Sequence, residues 1–177
     1  MDFPSSALIR LTPDYSFKSF DCENKDLNDF FLNDAKPYLA EFLAVTFILE
    51  DRETNSTIAF FSLLNDKVSI TDVSGNNVWN RIRKRMPQSK KFKSYPAMKI
   101  GRLGISKEYK GKGYGTAILD YLKILFITEN RTGCKFITVD AYKDSLPFYE
   151  KNGFSYFTEN DKDKNTRAMY FDLKNIY

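Results

Sequence analysis

The chain has 177 residues and a net charge of +4, with 42% hydrophobic and 16% aromatic residues, enough for a single domain, residues 1–177, with a full core. It has no histidine, which excludes His-based acid–base chemistry, Ser/His/Asp triads and most catalytic zinc sites, and it has no run of 18 apolar residues, so neither a metal nor a membrane partner is expected. Cys22 and Cys134 form no CxxC pair and read as small residues of a protein in a reducing cytoplasm, and the opening MDFPSSALIRL lacks the basic and apolar regions of a secretory signal.

In chain order, ALIRL at 7–11 predicts a first short strand. Capping residues follow in Phe20-Asp-Cys-Glu-Asn-Lys-Asp26, and Leu27, Phe30, Phe31, Ala35 and Tyr38 mark one face of a helix. Pro37 is expected to divide that helix in two. Val45–Leu49 and Thr57–Leu64 predict a hairpin around the turn Asp51-Arg-Glu-Thr-Asn-Ser56. Residues 71–97 read as a polar, basic insertion holding a short helix near Val78–Met86 that Pro87 stops. Met98–Ile105 predicts a strand, and a helix is expected from about Gly113 to Thr128. Phe136–Ala141 is an apolar, β-branched strand after the turn Asn130-Arg-Thr-Gly133. Ser145–Lys151 predicts a short helix with Gly153 just past its end. Phe154–Phe157 and Thr166–Leu173 close the chain as an antiparallel pair around the charged loop Glu159–Asn165. Together these give an α/β (α+β) fold, a mixed central sheet flanked by helices.

The charge is unevenly spread. Residues 81–112 hold twelve Lys/Arg and a single acid, Glu108, for +11, which leaves −7 for the rest of a chain whose total is +4. Arg81, Arg83, Lys84, Arg85, Lys90, Lys91 and Lys93 make a basic stretch of the kind that attracts nucleic acid or an acidic surface. The plain alternative is a solvated loop.

Between strand and helix lies Lys110-Gly-Lys-Gly-Tyr-Gly115. Three glycines let the backbone approach a ligand closely. The helix start behind them offers unpaired N–H groups and the positive end of a dipole, and Lys110 and Lys112 add charge, so the loop suits a phosphate or pyrophosphate. A Walker A loop does not fit, because no Gly-Lys-Ser/Thr closes it. A dinucleotide fingerprint would place Thr116 at its third glycine and Asp140 at a later strand end. The position past mid-chain, after antiparallel hairpins, argues against it. A tight turn into a helix is the third reading.

Two motifs in order point further. Lys110-Gly-Lys-Gly-Tyr-Gly115 resembles the R/Q-x-x-G-x-G/A loop of the GNAT acetyltransferase superfamily, with Lys110 where Arg or Gln usually stands. Phe148-Tyr-Glu-Lys-Asn-Gly-Phe154, about 35 residues downstream, resembles the family's FYEK-x-GF segment. The resemblance covers roughly residues 44–173. It implies acetyl-CoA as co-substrate. The backbones of Leu103, Gly104 and Ile105 would pair with the pantetheine arm, one of their N–H groups polarising the thioester carbonyl. Lys110, Gly111, Lys112, Gly113, Tyr114, Gly115 and Thr116 would hold the pyrophosphate, and Tyr149 would protonate the leaving thiolate. From residue type alone, Tyr149 reads equally as a core tyrosine beside Phe148.

Two departures stand out. The central strand carries Lys99 and Arg102 but no carboxylate base, leaving Asp66 and Asp140 as the acids to consider. Tyr142-Lys-Asp144 stands where many relatives have an Asn that helps hold the pantetheine. An amine that loses its proton easily is therefore favoured: an α-amine ionises near 7.7–8.0 against about 10.4 for lysine. Phe20-Asp-Cys-Glu, Leu27-Asn-Asp-Phe-Phe-Leu32, the insertion and Gly101-Arg-Leu103 also resemble toxin-type GNAT proteins, which acetylate the α-amine of aminoacyl-tRNA. The basic stretch 81–93 would suit a tRNA partner. The leading reading is transfer to an unidentified primary amine, small-molecule or α-amine; aminoacyl-tRNA is the runner-up, a non-catalytic CoA-binding module is the third alternative, and a homodimer is compatible with each.

Overall fold

The computed structural model describes residues 6–73, 79, 80, 82, 84, 92–129 and 132–176. Its strands are β1 (Ser6–Arg10), β2 (Val45–Asp51), β3 (Ser56–Ser69), β4 (Ser94–Ile105), β5 (Phe136–Tyr142), β6 (Ser155–Tyr156) and β7 (Thr166–Asp172). They form a mixed seven-stranded sheet in the order β1-β2-β3-β4-β5-β7-β6, the α/β arrangement expected from the sequence. The helices are α1 (Lys25–Asp29), α2 (Ala35–Ala40), α3 (Tyr114–Thr128) and α4 (Leu146–Lys151). The chain separates into two compact units, one of residues through Leu64 with Ile100–Leu122, the other of Asn65–Lys99 with Lys123 onward.

In the first unit, β1 and β2 pair antiparallel with Leu8 opposite Leu49, and β2 pairs antiparallel with β3 with Phe47 opposite Phe61. Those two phenylalanines stack at 5.3 Å across the strands, the kind of same-face pair that fixes register. The ladder slips between Leu49 and Glu50, opposite Ala59 and Thr57. The residue left over, Ile58, gives its carbonyl to the Ser106 N–H at 2.8 Å, so the bulge leaves no orphaned acceptor there.

Asn24 caps α1, its side chain accepting from the Leu27 N–H at 3.1 Å. A π-helical turn, Phe30–Asp34, joins α1 directly to α2. The break in the α pattern is thus this turn and not Pro37. Pro37 sits in the first turn of α2, where the four-residue hydrogen-bond ladder is only being re-established and a missing N–H costs little. The wider turn brings both Phe30 and Phe31 into a core with Leu11, Phe20, Cys22, Ala35, Ile48 and Phe60.

In the second unit, β5 and β7 pair antiparallel with Thr138 opposite Tyr170, and β6 adds to β7 with Ser155 opposite Tyr170. Its core joins Val68, Val73, Tyr95, Ala97, Phe136, Phe157 and Tyr170 to Trp79 and Ile82. The described residues reach into the expected insertion from both sides. β3 continues to Ser69 and β4 begins at Ser94, and Trp79 and Ile82, three apart on one helical face, are buried. Trp79, Asn80, Ile82 and Lys84 are helical; the rest of the helix expected at 78–86, and most of the turn expected at 130–133, lie outside the described residues.

Candidate active site

The glycine loop is reached through a fixed exit from β4. Ser106 donates to Ile58, and the Lys107 N–H donates to the Asp21 carbonyl at 2.8 Å. A single 3-10 turn, Lys107–Tyr109, then leads into the loop. Gly111 and Gly113 have φ of +75° and +87°, and a Cβ added at either would meet nothing within 4 Å. These glycines are needed for a left-handed backbone and for an open surface, not for packing. Helix α3 starts immediately behind, its first turn closed by the Ala117 N–H on the Gly113 carbonyl at 3.1 Å. The N–H groups of Gly115 and Thr116 precede the helix's own acceptors, so an anion would find donors, a dipole end and unobstructed space at one place.

The loop's two lysines are already engaged. Lys110 Nζ lies 2.7 Å from Glu23 Oε2. Lys112 Nζ stands 5.0 Å from the ring centre of Tyr109. Glu23 is held in a left-handed conformation, φ 63°, and its N–H donates to Asp21 Oδ1 at 2.8 Å. That hydrogen bond, with those from Asn28 and Lys107, lowers the Asp21 carboxyl to about 2. Both partners of the Lys110–Glu23 pair are half exposed, and such a pair contributes no more than about 1 kcal/mol, so a pyrophosphate can displace it. Glu23 and Asp21 were not legible as site residues because each acts on the loop across more than eighty residues, and Tyr109, which adjoins the loop, because its own partner Asp51 lies 58 residues upstream.

Leu103, Gly104 and Ile105 form the end of β4. Side chains alternate across a strand, and Gly104 faces the aromatic core. A Cβ there would stand 2.6 Å from Phe60 Cε1 and 3.2 Å from Phe20 Cζ, so the reason for glycine is Phe60. On the same face, the Arg102 guanidinium lies 5.3 Å from the Phe30 ring centre, with its Nε 3.5 Å from Asp26. Leu103 to Thr116 thus fall together in the first unit.

Tyr149 belongs to the second unit, in α4, and its place follows from local sequence. Gly153 takes φ +85° just past the helix. The Phe154 N–H then donates to the Tyr149 carbonyl at 3.0 Å and the Gly153 N–H to Glu150 at 2.9 Å, the two bonds of a Schellman end. The hydrophobic contact that accompanies such an end is Phe154 against Tyr149 itself, ring centres 5.3 Å apart. Phe148 packs edge-on at 5.0 Å. Tyr149 is buried, and loss of solvent pushes its phenol above the ordinary value, so it keeps its proton at neutral pH.

Of the two carboxylates considered as bases, Asp66 accepts from Thr138 Oγ1 at 2.5 Å and Asp140 is paired with Lys99. Residues Lys143–Ser145 form a 3-10 turn after β5. Among the described residues no cluster of His, Cys, Asp and Glu side chains could hold a metal ion, and no helix is long and apolar enough to cross a membrane. Lys84 and Lys93 are exposed; Arg81, Arg83, Arg85, Lys90 and Lys91 of the basic stretch lie outside the described residues.

Residues 80–156 match the acetyltransferase (GNAT) domain family. The fold is similar to that of a tyrosine-to-phenylalanine mutant of KacT, at 18% identity over 97% of each chain with a TM-score of 0.76. It is similar to AtaT complexed with acetyl-methionyl-tRNAfMet, at 18% identity over 97% of this chain and 96% of that one, TM-score 0.73. A tyrosine-to-phenylalanine mutant of the AtaT toxin, bound to the C-terminus of the antitoxin AtaR and acetyl-CoA, gives 18% identity over 97% and 96%, TM-score 0.71. At these identities the likeness is one of fold. Residues 80–156, which contain both the glycine loop and Tyr149, thus match the acetyltransferase (GNAT) domain family, and the chain shares the fold of these solved structures.

Proposed function

We propose that the protein transfers the acetyl group of acetyl-CoA directly to a primary amine, and that the α-amine of aminoacyl-tRNA is the acceptor class that fits best. The observation that carries the donor half is the loop itself. Gly111 and Gly113 are left-handed, unobstructed and followed at once by the start of a 15-residue helix, a cradle whose donors and charge suit a pyrophosphate. Lys110 to Thr116 would hold that group, and the backbones of Leu103, Gly104 and Ile105 the pantetheine arm.

The amine nitrogen attacks the thioester carbonyl carbon, a C–N bond forms, the C–S bond breaks, and the sulfur leaves as a thiolate. Tyr149 is the proposed partner of that sulfur. A thiol ionises near 8.5 and a tyrosine near 10, and burial raises Tyr149 further. Complete transfer from phenol to thiolate is therefore uphill by more than about 2 kcal/mol. Tyr149 serves as a hydrogen-bond donor to the departing sulfur, water restoring the proton balance. The amine's own proton must leave before attack. Asp66 and Asp140 each have a partner, which favours an amine that is partly neutral already. At pH 7.5 roughly a third of an α-amine is neutral, against about 0.1% of a lysine.

The tRNA acceptor is supported by the basic stretch 81–93, since Lys/Arg contacts to phosphate dominate such binding, and by the likeness in fold to AtaT complexed with acetyl-methionyl-tRNAfMet. The test is transfer of labelled acetyl from acetyl-CoA to methionyl-tRNA, uncharged tRNA, a free α-amino acid amide, a peptide N-terminus and a polyamine. Labelled ester-linked aminoacyl end groups are expected. Transfer only to the free amines would overturn the acceptor, and transfer to none would overturn the activity.

A further inference from the structure

Gly111 and Gly113 are left-handed with open space around them, so no side-chain packing at the glycines holds the loop, and whatever fixes its position in advance spares a ligand the cost of ordering it. Its backbone is closed only by long bonds, Lys110 N–H to the Lys107 carbonyl and Lys112 N–H to the Tyr109 carbonyl, both at 3.4 Å. We infer that Tyr109 is the positioning residue, tying the phosphate loop through its phenol to the β2–β3 turn. The inference rests on the reading of this loop as the donor's pyrophosphate site.

The hydroxyl of Tyr109 meets three groups of that turn. It donates to Asp51 Oδ2 at 3.0 Å, and it lies 3.0 Å from Ser56 Oγ and 3.2 Å from Thr54 Oγ1. The two hydroxyls are bonded to each other at 2.8 Å. Asp51 serves both structures at once. Its Oδ1 accepts the Glu53 and Thr54 N–H groups that close the turn, at 2.8 and 3.2 Å, while its Oδ2 takes the phenol. Together these hydrogen bonds hold its carboxyl below the ordinary value, so the anchor is an ionised carboxylate at neutral pH, and bonds to a charged acceptor are the stronger ones. The other side of Tyr109 faces the loop. Lys112 Nζ sits 5.0 Å from the ring centre, and Tyr114, the first residue of α3, packs edge-on at 5.6 Å. One side chain thereby links the turn 58 residues upstream to a lysine inside the loop and to the first residue of the helix behind it.

This separates the lysines. Lys110 answers to Glu23 and Lys112 to Tyr109. With the anchor lost, Lys112 and the N–H groups at the start of α3 would have to be gathered by the ligand itself. The consequence is weaker donor binding with the chemical step unaltered.

The experiment compares acetyl-CoA, CoA and S-acetylpantetheine, which lacks the pyrophosphate, on the full chain by calorimetry and steady-state kinetics. The variants are Tyr109→Phe, Tyr109→Leu and Asp51→Asn. Tyr109→Phe keeps the ring and loses only the hydroxyl, and it is expected to raise Kd and KM for acetyl-CoA roughly five- to thirtyfold. kcat at saturation should stay within about twofold, and binding of S-acetylpantetheine should be unaffected, since uniform binding to the pyrophosphate is what is removed. Tyr109→Leu should weaken binding further by also losing the Lys112 contact. Asp51→Asn should resemble Tyr109→Phe, and the double variant Tyr109→Phe/Asp51→Asn should be no worse than the more affected single one. If Tyr109→Phe fails to fold, Asp51→Asn and the double-variant comparison on Tyr109→Leu carry the same test. A wild-type Kd in both Tyr109→Phe and Asp51→Asn, or an equal loss for acetyl-CoA and S-acetylpantetheine, would overturn the anchor while leaving the donor site in place. Wild-type protein that binds neither acetyl-CoA nor CoA would overturn the donor site and the anchor with it.

Discussion

Gly104→Ala is a severe test of how the strand at the proposed donor site is built. The added Cβ would stand 2.6 Å from Phe60 Cε1 and 3.2 Å from Phe20 Cζ, far inside ordinary van der Waals contact. Phe60 is fully buried. Its ring stacks on Phe31 at 4.6 Å and meets Phe20 edge-on at 5.3 Å, and Phe30 lies parallel at 6.2 Å. No neighbour is a flexible chain end, so relief must come from the β4 backbone or from the whole aromatic group. Overpacking of this kind costs about 1–3 kcal/mol, and a chain of this size loses about 2–4 °C per kcal/mol, giving a fall in Tm of roughly 2–12 °C. Calorimetric unfolding measures it directly. Phe60→Leu should relieve the clash, so Gly104→Ala should cost less in that background than alone, a coupling that identifies Phe60 as the cause. Gly111→Ala places the same methyl in open space but on a left-handed backbone at φ +75°, so its cost, about 1–2 kcal/mol of backbone strain, should be the same with and without Phe60→Leu, and it should weaken acetyl-CoA binding as well. A wild-type Tm for Gly104→Ala, or the same loss with and without Phe60, would refute the reasoning.

Glu23→Gln removes the carboxylate that competes for Lys110 and should tighten acetyl-CoA binding roughly two- to fivefold, the equivalent of a surface ion pair; calorimetry showing weaker binding would mean that Glu23 organises the loop instead. Asp21 has a folded pKa near 2, below the unfolded carboxyl value of about 3.9. Its stabilising contribution is present above pH 4 and disappears as pH falls from about 4 to 2. Urea midpoints measured across that window should fall less steeply in Asp21→Asn than in wild type.

The parts of the molecule that the sequence displays are those written in local pattern. The strand–loop–helix around Lys110–Gly115 and the segment Phe148–Phe154 need only neighbours along the chain. Gly153 sets a left-handed helix end, and that end packs Phe154 on Tyr149, all within six residues. Less was legible where distant segments decide. The π-helical turn at Phe30–Asp34 arises because two adjacent phenylalanines both enter one core, which hydrophobic spacing alone assigns to an unbroken helix. The insertion reads as solvated because its charges outnumber its apolar residues, yet among the described ones Val73, Trp79 and Ile82 are buried in a core. Tyr109 carries no signal of its own role, since its partners in the β2–β3 turn lie more than fifty residues away. Nothing in the sequence explains why residue 104 is glycine until Phe60 is seen to fill the space a Cβ would need.

The central claim is that acetyl passes from acetyl-CoA to an amine with Tyr149 donating to the leaving sulfur. Single-turnover release of CoA thiol, with methionyl-tRNA as acceptor, tests it most directly in wild type and Tyr149→Phe. Stoichiometric thiol release is expected from wild type, with a rate lower by roughly 10²–10³ in Tyr149→Phe, the cost of losing one preorganised hydrogen-bond donor, and acetyl-CoA binding intact. Equal rates in the two proteins would contradict it.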